Sequence, residues 1–155
     1  MSPSQQRALD LFCGAGGLSL GLANAGFEIA GAADSWDAAT RTYGLNFDHP
    51  IVRADLARLS ARDLMKMLGI KGEIDLVAGG PPCQGFSIQR IGSDDDERNN
   101  LVLEFARLIR EIRPRAFLME NVPGLLGKRG RHIADAFVAS LSEFFDVRLA
   151  RVNAA

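Results

Sequence analysis

The residue with the most chemistry to offer is a cysteine on a proline-stiffened turn. Cys83 stands in Gly79-Gly80-Pro81-Pro82-Cys83-Gln84-Gly85-Phe86-Ser87, directly after the apolar run 74–78, which reads as a buried strand. Proline fixes φ and restricts the residue before it, so this thiol sits on a rigid turn and can be aimed as a nucleophile. Gly79 and Gly80 leave room for a ligand or a second backbone to come close. Taken alone, Cys83 suits the part of a small buried hydrophobe better. Its company changes that reading.

A glycine-rich turn, Cys13-Gly14-Ala15-Gly16-Gly17, follows the apolar run 8–12 and opens a helix. An acid, Asp34, comes about 20 residues further on, a spacing that suits an adenosine-type ligand with backbone at the turn and carboxylate on the ribose hydroxyls. The dinucleotide fingerprint needs a third glycine; counted from Gly14 that place is Ser19, which disfavours a nucleotide diphosphate. A tight strand-to-helix connection without a ligand stays open at this stage. So do helix capping by Asp34 and Asp55 and a core position for Trp36.

The elements that must carry these residues alternate. Strands are expected at 8–12, 27–33, 51–53, 74–78 and 116–119, with a sixth at 147–152. Helices are expected from 18 to a closing glycine at Gly26, over 36–45, and from Ser60 (with Asp63, a capping pair) to 68. Another starts at Asn100, with Leu101, Phe105, Leu108, Ile109 and Ile112 on one face, and a last one carries Ile133, Phe137, Leu141 and Phe144. Strict alternation implies a mostly parallel sheet covered on both faces, in which ligands bind beyond the carboxyl ends of the strands. The Gly14–17 turn, Asp34, Asp55, Cys83 and Glu120 all fall just past expected strand ends. Their convergence on one rim is stronger evidence than any single motif.

The bulk properties fit one domain. The chain has 155 residues, 47% hydrophobic, with a formal net charge of -1. That charge argues against nucleic-acid binding by bulk electrostatics alone. Two cysteines and no leader-like N-terminus point to a reducing, cytoplasmic setting, and no run is long enough to span a membrane.

Three motifs occur in order: Asp10-Leu11-Phe12-Cys13-Gly14-Ala15-Gly16-Gly17, Gly80-Pro81-Pro82-Cys83-Gln84-Gly85-Phe86-Ser87 and Met119-Glu120-Asn121-Val122. Together they resemble the cytosine-C5 DNA methyltransferase family over nearly the whole chain. The resemblance implies a Rossmann-like class I fold, a single partial catalytic domain over 1–155 that binds S-adenosylmethionine, and no metal. Phe12, Gly14, Ala15, Gly16 and Gly17 would line the cofactor site. Asp34 would hold the ribose, with Ser35 or Trp36 against adenine. Asp55 would accept from the adenine amino group, Leu56 would lie beside the ring, and Pro82 and Leu101 would close the pocket. Cys83 would add to C6 of cytosine, Glu120 would meet N3 and the exocyclic amine with a proton held or shared, and Asn121 would orient the base or the loop. The base must first leave the duplex. Gln84, Ser87, Gln89 and Arg98 would then contact DNA, whereas the acidic run 94–97 reads as a solvated loop tip. Lys128, Arg129 and Arg131 are further phosphate candidates.

The resemblance also implies what is missing: the arginine-bearing motif beyond 155, the target-recognition region, and a strand that runs antiparallel beside the fifth. The expectation is therefore a truncated piece or one subunit, weakly active or inactive alone, needing duplex DNA and a complementing chain, and prone to self-association at open sheet edges. A restriction-modification enzyme near the bacterial nucleoid is the natural setting. An RNA cytosine-C5 methyltransferase, a partner-binding homologue without activity and a nicotinamide oxidoreductase are the rivals. The last explains the first loop only.

Overall fold

The computed structural model describes residues 5–82 and 100–153. Five strands form one parallel sheet in the order β3-β2-β1-β4-β5: β1 (Arg7–Leu11), β2 (Glu28–Asp34), β3 (Ile51–Arg53), β4 (Leu76–Gly79) and β5 (Ala116–Met119). The helices are α1 (Gly17–Asn24), α2 (Asp37–Asn46), α3 (Ala61–Met67), α4 (Asn100–Ile112) and α5 (Arg131–Leu141), with short 3-10 turns at Leu56–Arg58 and Pro123–Leu126. This is the Rossmann-like α/β arrangement that the alternation predicts. Among the described residues no helix is long and apolar enough to cross a membrane.

The side-chain alternation of the strands divides the core. Leu9 and Leu11 of β1 and Val77 of β4 pack with Leu64 of α3, Phe105 and Leu108 of α4 and Phe137 of α5. Ala8, Leu76 and Ala78 point the other way, toward Leu22 of α1, and Ala32 of β2 meets Tyr43 of α2. Sheet residues buried on both faces must be nearly all apolar, which is why these strands read as continuous hydrophobic runs. In α4, Val102, Phe105, Ala106, Leu108 and Ile109 are at most 2% exposed and recur at helical spacing, so one stripe of this helix is core.

Strand order reverses between β1 and β4, because β2 and β3 extend the sheet on one side and β4 and β5 on the other. A crevice outside the carboxyl ends of β1 and β4 is the expected consequence.

The strand expected at 147–152 does not form; the described residues there are coil. A strand needs a ladder partner, and the edge of β5 is separated from this segment by a groove lined by Ala116–Met119 on one side and residues 144–149 on the other. The capping pair does form: Ser60 Oγ accepts from the Asp63 N–H (3.1 Å) and donates to Asp63 Oδ2 (2.7 Å).

One polar chain runs through the core beneath the glycine turn. Asp10, fully buried in mid-sheet, accepts from Ser19 Oγ at 2.6 Å; Ser19 Oγ shares a hydrogen bond with Tyr43 OH at 2.8 Å, and Tyr43 OH one with His49 Nδ1 at 2.9 Å. Asp10 Oδ1 has no protein partner. Burial pushes the Asp10 carboxyl up from the ordinary range to about 6, against the lowering effect of its bonds to Ser19.

The fold therefore holds that proton more tightly than the unfolded chain does. The resulting stability is fully present below the unfolded value of 3.8 and is lost as pH rises through about 6. Asp10→Asn stays neutral and keeps an acceptor for Ser19. Urea titrations from pH 4 to 8 should show the wild-type chain losing about 3 kcal/mol relative to this variant. A pH-independent difference between the two proteins would contradict the assignment.

Candidate active site

The site is assembled from the loops that leave β1, β2, β4 and β5. After β1 the backbone turns abruptly, with Phe12 at φ 55°, Gly14 at 55° and Gly16 at 99°. Phe12 is a non-glycine residue in the left-handed region, an outlier of the kind that clusters at ligand sites. Its ring packs edge-on against Phe105 of α4, with centroids 6.3 Å apart. Gly16 is required for packing as well as conformation, since a Cβ there would lie 2.2 Å from Phe47 Cε2. Gly14 and Gly17 have open space where a Cβ would be, so the ligand side of the turn is at those two positions.

Asp34, at the end of β2, ties this turn down. Its Oδ2 accepts from the Gly14 N–H at 2.9 Å, and its Oδ1 accepts from the Trp36 N–H at 2.8 Å. One carboxylate thus fixes the glycine turn and the start of α2 together, while lone pairs remain for a ligand hydroxyl. Ser35 is exposed, and Trp36 is 69% exposed, so the core position for Trp36 is excluded.

Beyond β4, Gly79 and Gly80 have different functions. A Cβ on Gly79 would lie 2.4 Å from the Leu11 carbonyl oxygen, so here the close approach is backbone to backbone. A Cβ on Gly80 would sit 3.5 Å from Glu120 Oε2, facing the carboxylate delivered by β5. Glu120 is itself held at the backbone, its N–H donating to the Gly79 carbonyl at 3.0 Å. Asn121 Nδ2 donates to the Pro81 carbonyl at 2.8 Å, and Asn121 Oδ1 accepts from the Val122 N–H at 2.9 Å. Asn121 is thus tied to the backbone at the end of the described segment before the loop. It grips the proline turn immediately before Pro82 and Cys83.

A crevice of about 420 Å³ results, lined by Asp10, Phe12, Cys13, Gly14, Gly17, Leu18, Gly80 and Glu120. It therefore joins Phe12, Gly14, Gly17 and Glu120 from the sequence reading. Ala15 is exposed outside it, Gly16 is buried under Phe47, and Leu101 is half-buried in the first turn of α4. Asp55 follows β3 on an exposed turn, where Oδ1 accepts from the Ala57 N–H at 3.1 Å and Oδ2 pairs with Arg58 at 3.2 Å. Leu56 is 2% exposed and packs in the core. Cys83, Gln84, Ser87, Gln89 and Arg98 lie outside the described residues. Lys128, Arg129 and Arg131 are exposed on the segment after β5, with Arg131 paired to Asp135 at 2.8 Å.

The structure adds residues that the motifs did not single out. Asp10 lies under the crevice with its Oδ1 buried and unpartnered; a lone acid inside the apolar run 8–12 was the available signal. Cys13 also lines the crevice. Burial, with Asp10 and Asp34 adding, pushes its thiol far above the ordinary range, so it is a poor nucleophile.

The donor set suits S-adenosylmethionine. Its positive charge would suit a wall that carries Asp10 and Glu120, Asp34 keeps free lone pairs beside the glycine turn, and Trp36 offers an open ring beside Asp34. Among the described residues no group of three or more His, Cys, Asp or Glu is arranged to hold a metal.

Comparison with known proteins gives the same direction. A family model for the C-5 cytosine-specific DNA methylase matches residues 6–155. Type II methyltransferase M.AgeI of Thalassovita gelatinovora is 41% identical over 86% of the chain and 32% of the relative. M.AquIA of Picosynechococcus is 37% identical over 90% of the chain and 57% of the relative. A solved structure from an E. coli prophage, described as a DNA modification methyltransferase, superposes with a TM-score of 0.79 at 38% identity, covering 90% of this chain and 38% of that one. The chain thus spans from about a third to somewhat over half of the length of these relatives. With a family match running from the first strand to the C-terminus and the motif residues meeting at one crevice, the chain belongs to the C-5 cytosine-specific DNA methylase family.

Proposed function

We propose that this chain is the cofactor-binding and catalytic part of a DNA (cytosine-5)-methyltransferase of restriction-modification type. The observation that carries the reading is the meeting of the Phe12–Gly17 turn, Gly80 and Glu120 in one crevice, with Asn121 gripping the turn that leads to Cys83. Bound S-adenosylmethionine would supply an electrophilic methyl group on a sulfonium. Phe12, Gly14 and Gly17 would cradle its amino-acid and sulfonium end. Asp34 would accept from the ribose hydroxyls, Trp36 would cover adenine, and Asp55 would accept from the adenine amino group.

Cytosine C5 is a weak nucleophile. The Cys83 thiolate would bond to C6, which makes C5 an enamine carbon able to take the methyl group. Glu120 would hold a proton at N3 and bond the exocyclic amine as charge develops. The C5 proton then leaves to a base, the C6–S bond breaks, and the thiolate is restored. The target would have to be flipped out of duplex DNA, and Gln84, Ser87, Gln89 and Arg98 would contact the nucleic acid. Lys128, Arg129 and Arg131 would take phosphates. A second chain carrying the remaining family motifs would complete the enzyme, and the open edge of β5 is where it, or another copy of this chain, would pair. The setting would be the cytoplasm, beside the nucleoid.

In a tritiated-methyl assay on duplex DNA, the purified chain should show little or no turnover. Robust turnover would mean that the site is complete without a partner. In the reassembled enzyme, Cys83→Ser should abolish the covalent adduct with 5-fluorocytosine DNA, whereas a persistent adduct would move the nucleophile elsewhere. Transfer RNA offered in place of DNA should not be methylated. Asp34→Ala should weaken S-adenosylhomocysteine binding about tenfold or more by calorimetry, because it removes both a ligand acceptor and the tie to Gly14.

A further inference from the structure

The turn that carries Asp55 has little support from the sheet. It leaves β3, an edge strand of three residues, and runs as a single 3-10 turn before α3. What fixes it comes from across the core. Arg107, on α4, donates from Nη2 to the carbonyl oxygens of Leu56 and Leu59, both at 3.0 Å. Its guanidinium is locked in that pose by two carboxylates of the same helix: Nε donates to Glu104 Oε2 at 2.6 Å and Nη1 to Glu111 Oε1 at 2.7 Å. The other oxygen of Glu111 accepts from the Ala61 N–H at 2.7 Å, which adds a third tie just beyond the turn. Ion pairs between half-exposed groups contribute little to stability. A fork that holds two backbone carbonyls through one nitrogen, while its other two nitrogens are fixed by carboxylates, is instead a geometric device, and an ammonium could not reproduce it.

Leu56 opens the 3-10 turn and Leu59 follows it, and Asp55 is the capping residue just before it. Anchoring the two carbonyls fixes the backbone on which Asp55 stands, and the Ala57 N–H and Arg58 then hold its carboxylate over the turn. The helix that supplies the anchor also carries Leu101 in its first turn and contributes Phe105, whose ring meets Phe12. One element therefore registers the Asp55 turn and the glycine turn against each other.

We propose that Arg107 is a positioning residue for cofactor recognition: by holding the Leu56 and Leu59 carbonyls it sets Asp55 to read the adenine amino group. This rests on the reading of Asp55 given above. Arg107 touches no substrate; it acts through Asp55. Displacing a recognition group by about 1 Å is enough to lose its contribution.

The test is calorimetry on the full chain with S-adenosylhomocysteine and with its hypoxanthine counterpart, S-inosylhomocysteine, in which a carbonyl replaces the amino group. The wild-type chain should prefer adenine by about tenfold or more, the worth of a hydrogen bond to a charged acceptor. Arg107→Met should bring the two affinities to within about twofold while leaving the hypoxanthine affinity nearly unchanged. Arg107→Lys, able to reach one carbonyl, should fall between. Full adenine preference in Arg107→Met overturns the proposal, as does an equal loss for both ligands, which is what a merely structural arginine would give. If Arg107→Met does not fold by circular dichroism, Arg107→Lys decides the matter alone: an undiminished preference overturns the proposal. A wild-type chain that binds both ligands equally removes Asp55 from adenine recognition, and one that binds neither removes the cofactor reading itself.

Discussion

The level register of five parallel strands is the constraint on which the rest of this structure depends. Leu11 pairs with both Ala33 and Gly79, Gly79 pairs with Met119, and Asp34 pairs with Arg53. Backbone ladders allow no half-steps, so the chain leaves every strand at nearly the same height. Residues far apart in sequence then arrive on one rim without any long-range contact designed for the purpose. Close approach across that rim needs small residues, and Gly79 shows how tightly: its missing side chain is what lets β4 lie against the end of β1.

Much of this was legible in the sequence because the relevant signals are local. Apolar runs of four or five residues, glycine at helix ends and the Ser60–Asp63 pair each report on their own neighbourhood, and the strands and helices form close to where those signals place them. The rim residues followed from a rule about parallel sheets rather than from any one motif. What sequence reading missed depends on partners distant in the chain. Residues 147–152 have the composition of a strand, but pairing is a property of two segments, and no neighbour in the described residues offers it. Arg107 looks like one more charge on an amphipathic helix; only the approach of Leu56 and Leu59, some fifty residues earlier, turns it into an anchor. Leu56 likewise sat beside an acid of the expected site, yet its side chain went to the core, where burial is worth about 2 kcal/mol.

The buried polar chain from Asp10 to His49 is an exception to an otherwise apolar sheet. A carboxyl in that position is expensive unless it is neutral or matched by a positive group. With one oxygen satisfied by Ser19 and the other buried without a partner, Asp10 is only half satisfied by the protein. The imbalance suits a site whose proposed ligand is a cation, and it has the local strain at Phe12 for a neighbour.

Charge also separates the two binding tasks. The crevice is lined by Asp10 and Glu120, with Asp34 bonded to its glycine turn. That concentration of acids favours a sulfonium cofactor and repels phosphate. On the proposed function a nucleic acid backbone would have to come in from elsewhere, and the net charge of -1 offers it no general attraction. The exposed cations on the segment after β5, with Arg148 and Arg151 lining the groove that borders Glu120 and Asn121, provide the opposite sign within reach of the same rim. Arg148 is already paired with Asp146, at 2.9 Å, so its charge is partly spent within its own segment. In the proposed reading, cofactor and polyanion would then lie to different sides of Glu120, which borders both the crevice and the groove.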